Sequence, residues 1–66
     1  MVDERVFRHM LEQNTRRRLE LLDFLGSGSA KDYAEYREVV GVLRGLLQAN
    51  QNIEDLMDRV KELDDE

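Results

Sequence analysis

Gly26-Ser27-Gly28-Ser29 is the one cluster of helix breakers in a chain of 66 residues, and its reading decides the fold. Before it, an apolar pattern of helical period runs from about Val2 to Leu25; after it, another runs from about Ala30 to Leu63. Proline is absent, so nothing else interrupts either segment. Gly26 follows Leu25 where a helix can end on a residue free to adopt the left-handed conformation. Ser29 stands three residues before Asp32, a capping-box spacing with Asp in place of Glu or Gln. The same four residues would serve as a flexible linker. Cap chemistry on both sides fits a short loop between antiparallel neighbours better. The chain reads as all-α: one domain, a two-helix antiparallel hairpin with helix one over about 2–25, a loop at 26–29 and a longer helix two over about 30–64.

A domain of this size buries only a marginal core. Without cysteine, neither a disulfide nor a thiolate metal site is present to staple it. Helix packing and association remain, so the hairpin is expected to be oligomeric or packed on a larger assembly. At ~1.5 Å per residue the arms measure roughly 35 and 50 Å, which leaves about ten residues at the C-terminal end of helix two to project beyond helix one. That overhang is expected to need a partner.

Helix two carries two adjoining apolar stripes. Val39, Val42, Leu46, Ala49, Ile53, Leu56, Val60 and Leu63 alternate by three and four residues, the spacing of a coiled-coil seam. Beside them run Tyr33, Tyr36, Val40, Leu43 and Leu47, ending in the polar Asn50. A hairpin needs one such stripe for its own partner helix. Two suggest a second contact, either with a neighbouring helix or as one wide core face of a self-associated bundle. A third face holds Ala34, Gly41 and Gly45; each interior glycine costs roughly 1 kcal/mol in a helix, which hints at a backbone approaching closely there. The alternative for these glycines is a free surface.

On helix one, Val2, Val6, Phe7, Met10, Leu11, Leu21, Leu22, Phe24 and Leu25 fall in one arc. Asn14, Arg17 and Arg18 interrupt it. The two arginines either lay their stems on apolar surface or face a charged partner. Arg16 can pair with Glu12 and Glu20, each four residues away.

The net charge of −5 concentrates in residues 31–66, which hold five basic and ten acidic side chains. Direct nucleic-acid binding is disfavoured. No apolar run reaches the ~18 residues of a membrane span, and the start has no signal-peptide character. No catalytic constellation, cofactor motif or metal cluster is evident: His9 is the single histidine, and the carboxylates sit at helix-solubilising spacings. No small-molecule substrate is expected, since two helices do not easily enclose a ligand pocket.

Residues 24–46, with Lys31, Asp32, Tyr33, Tyr36, Arg37, Arg44, Gly45 and Leu46, and the acidic end Asp64, Asp65 and Glu66, resemble short helical proteins of tailed bacteriophages encoded among virion morphogenesis genes. Residues 1–23 lie outside the resemblance. It implies a non-enzymatic structural component of a phage virion, at the portal, the head–tail region or just inside the capsid, assembled in the host cytoplasm. Its partners would be further copies of itself or a portal or adaptor protein. The interface would use Val39, Val42, Leu46, Ile53, Leu56, Val60 and Leu63, the stripe from Tyr33 to Leu47, the face of Gly41 and Gly45, and Arg17 and Arg18. The competing expectations are a small phage-encoded regulator that inhibits a host protein, its acidic helix mimicking nucleic acid, and an assembly chaperone or scaffold.

Overall fold

The computed structural model describes residues 4–64, and these form two helices and no strand. Helix α1 spans Glu4–Gly26 and α2 spans Tyr33–Asp64. Val2, Asp65 and Glu66, which figure in the expectations above, lie outside the described residues.

The turn is built one step later than its first glycine suggests. Gly26 is still helical, and Gly28 is the residue with positive φ, at 73°. Ser29 N–H donates to the Phe24 carbonyl at 3.2 Å and Gly28 N–H to the Leu25 carbonyl at 3.1 Å. That pair of bonds is a Schellman closure with Gly28 at the left-handed position. The Ser27 hydroxyl also donates to the Phe24 carbonyl, at 3.0 Å, so the last turn of α1 has few orphan acceptors.

The start of α2 moves too. Asp32, not Ser29, is the N-cap: its Oδ1 accepts from Glu35 N–H at 2.8 Å, and its carbonyl accepts from Tyr36 N–H at 3.1 Å. Glu35 reaches back to Lys31 N–H at 3.4 Å, one residue before the cap, in a variant of the capping box shifted by three residues. A carboxylate at the cap with glutamate three residues on prevails over the serine–aspartate pair upstream. The loop is therefore residues 27–32.

Two cross-helix bonds set the register. Asn14 Nδ2 donates to Asn50 Oδ1 at 2.9 Å, and Glu4 lies 3.5 Å from Lys61. These pairs are ten residues apart on α1 and eleven on α2, so the helices run antiparallel in step. Phe7 stands level with Met57, Leu11 with Ile53, Arg18 with Leu46, Leu21 with Leu43 and Leu25 with Val39. The expected C-terminal overhang of about ten residues is not found: Lys61 is already level with Glu4, and among the described residues 62–64 alone lie beyond it. The extra length of α2 is at the loop end, where Tyr33 to Arg37 extend past the last turn of α1. A six-residue loop carries the chain beyond α1 before α2 begins, so α2 starts further out.

Candidate functional site: the apolar flanks of the hairpin

Burial follows one stripe of two adjacent heptad columns on each helix. On α1 the inward residues are Glu4, Phe7, Leu11, Asn14, Arg18, Leu21 and Leu25; on α2 they are Val39, Leu43, Leu46, Asn50, Ile53, Met57 and Val60. Both stripes alternate by three and four residues, as a two-stranded seam requires. It is a thin seam. Phe7, at 6% exposure, is the one buried apolar side chain among the described residues, and none is fully buried.

The middle of the seam is polar. Asn50 is 8% exposed, accepts from Asn14, and donates to the Thr15 hydroxyl at 3.4 Å. A paired asparagine inside such a seam selects register at some cost in stability. One turn along, Arg18 lies half-buried with its Nε unpartnered, its stem covering apolar surface. Arg17 points outward and pairs with Glu20 at 3.2 Å, an exposed contact worth little.

The two stripes read on α2 are divided by this seam. Val39, Leu46, Ile53 and Val60 of the first turn inward, while Val42, Leu56 and Leu63 of the same stripe are exposed, with Ala49 half-buried between them. Of the second stripe, Leu43 and Asn50 enter the seam and Val40 is half-buried, while Tyr33, Tyr36 and Leu47 stay exposed. The arc on α1 splits likewise: Phe7, Leu11, Leu21, Phe24 and Leu25 turn toward α2, and Val6, Met10 and Leu22 face outward, joined by Leu19.

The exposed residues gather on two flanks. One carries Val6, Met10 and the edge of Phe24 on α1 with Val42, Ala49, Leu56 and Leu63 on α2. A groove of about 590 Å³ opens at its loop end, between Phe24 and Val42, with Arg17, Glu20, Glu35 and Glu38 on its rim. The other flank carries Leu19 and Leu22 with Val40 and Leu47, and its apolar character stops halfway along, where Arg8, Glu54 and Lys61 follow. Beyond it the Tyr33 and Tyr36 rings stack, centroids 6.1 Å apart, on the projecting first turn of α2.

Gly41 and Gly45 face open space, and a Cβ built on either would meet no atom within 4 Å. Nothing within the hairpin approaches them. Among the described residues no group of acidic, histidine or cysteine side chains could hold a metal, and no helix is long and apolar enough to cross a membrane. The Asn14–Asn50 bond is hidden from sequence reasoning, although half of its signal is present: Asn50 is the one polar residue in the otherwise apolar inward set of α2, whereas Asn14 shares its set with Glu4 and Arg18.

Comparison of the chain with protein-family models, with curated proteins and with solved structures returns no match.

Proposed function

We propose that this protein is a non-enzymatic structural component of a phage virion, at the portal, the head–tail region or the capsid interior, that assembles through the apolar flanks of its hairpin. One observation carries the assembly half: among the described residues, ten large apolar side chains stand exposed, while one is buried. The accessible surface is 5340 Å², against about 4,400 Å² for a compact monomer of 7.8 kDa. Exposed apolar surface of this extent, rimmed by charge, is the mark of a protein-binding face. The virion half is supported by the resemblance of residues 24–46.

Mass spectrometry of purified mature particles tests it. The protein is expected in stoichiometric amount. Presence in immature particles with loss on maturation would make it a scaffold, and absence from both would overturn the virion assignment.

A further inference from the structure

The flank that holds Val6, Phe24, Val42 and Leu56 has an internal symmetry. Ala49 stands level with Thr15, beside the Asn14–Asn50 layer. On α2, Val42 and Leu56 lie seven residues to either side of Ala49, and both are about half exposed. On α1, Val6 and Phe24 lie nine residues to either side of Thr15. Glu38 stands eleven residues before Ala49 and Arg59 ten after it, and neither makes an ion pair among the described residues. Glu38 lies on the groove that Val42 lines, and Arg59 lies on a smaller groove beside Leu56.

A two-fold axis crossing the helices at the level of Ala49 exchanges the members of every one of these pairs. That is the condition for an isologous contact, in which residue i meets j and j meets i. Building on the assembly reading above, we propose that a second copy of this chain docks antiparallel on this flank, about a two-fold axis at Ala49. The dimer packs Val42 against Leu56 and Val6 against Phe24 of the other copy, and pairs Glu38 with its Arg59. The product is a four-helix bundle in which α2 lies along α2 and α1 along α1.

Charge chooses the direction. Stacking the copies in the same direction would set Glu38 level with Glu38 and Arg59 level with Arg59, like against like; the antiparallel arrangement sets opposite charges together. Size fits as well. The hairpin is 52 Å long and 16 Å wide, a footprint of roughly 800 Å², which is what each partner of a stable pair buries. Small residues lie where the two α2 helices cross: Ala49 at the axis and Gly45 one turn away, open to solvent within the single hairpin. The other flank cannot be paired in this way, because its apolar residues occupy only the loop half.

The test uses the full chain. Light scattering should give the wild type twice the 7.8 kDa chain mass. Glu38→Arg and Arg59→Glu each set like charges together at both symmetry-related sites, so each should weaken the dimer severalfold with helicity retained, and the two together should restore it. Because the chain has no cysteine, Ala49→Cys supplies a single thiol at the axis. Mild oxidation should link two copies through it, and Gln51→Cys, on the opposite face, should not cross-link. A dimer insensitive to both charge reversals, or one that fails to cross-link at position 49, overturns this geometry and leaves the assembly reading standing. A wild type that stays monomeric at every concentration overturns the assembly reading itself.

Discussion

Along the seam, Phe7, Leu11, Leu21 and Leu25 meet Met57, Ile53, Leu43 and Val39; one helix position to the side, Val42, Leu56 and Met10 stand in water. The residue types are the same in both places. What differs is the polar content and what it accomplishes. The seam contains the Asn14–Asn50 bond and the half-buried Arg18, groups that weaken a core but fix how two helices align. The exposed flank between Val6 and Phe24 holds the solvent-exposed Arg17–Glu20 pair between its apolar ends and has no buried polar bond of this kind. The comparison teaches that apolar surface in a small hairpin need not go where stability of the single chain would put it. Here the intramolecular contact is specified by a polar layer, and a large share of the apolar surface is left for another contact.

Substitutions on the two regions should separate these roles. Phe7→Ala attacks the seam at the one apolar side chain that is buried among the described residues and should cost about 3 kcal/mol, enough to unfold much of a hairpin this small in thermal or urea titration. An unchanged midpoint would mean that the seam does not hold the hairpin. Asn50→Ala should cost about 1.5 kcal/mol, because it leaves the Asn14 amide without its partner. Replacing both asparagines by leucine should instead raise the melting temperature and admit more than one association state. A doubly substituted chain with the wild-type state and lower stability would contradict the register role.

The loop sets the scale for purely local effects. Gly28→Val forces a β-branched residue to positive φ and should destabilise by on the order of 1–2 kcal/mol, whereas Gly26→Ala should be neutral or slightly stabilising. Asp32→Ala should cost about 1 kcal/mol through loss of the α2 cap, with Ser29→Ala much milder. Equal effects at 29 and 32 would contradict the cap assignment. The smallest effect on folding belongs to the flank. Leu56→Asp should change the stability of the dilute hairpin by no more than ~0.5 kcal/mol, yet abolish association at high concentration. Loss of folding there would show that Leu56 belongs to the seam after all.

The helical hairpin was legible in the sequence because breakers cluster at one place and both arms keep helical period. The turn was less so. Gly26 and Gly28 are both chemically suited to end a helix, and the choice falls to the residue that lets Ser29 reach the Phe24 carbonyl. Two capping boxes overlapped, Ser29 with Asp32 and Asp32 with Glu35, and the second carries the stronger chemistry at both ends. The stripes were legible as apolar and illegible as contacts. When an apolar face is four heptad columns wide, any two adjacent columns alternate by three and four, and the partner helix selects the pair that is buried. That selection was masked on α1 because Asn14 and Arg18 occupy its seam positions. Subtracting helix lengths gives the excess of α2 without saying which end receives it, and the six-residue loop puts it at the loop end.

If the outward flank is an interface between copies of this chain, the mass of the particle must depend on it. Light scattering over a concentration series, reading the mass of the wild type beside that of Leu56→Asp, tests it most directly. The wild type should approach twice 7.8 kDa as concentration rises, and the Leu56→Asp variant should stay at 7.8 kDa with the same helicity. A wild type that holds at 7.8 kDa throughout, or a variant that dimerises equally well, would contradict it.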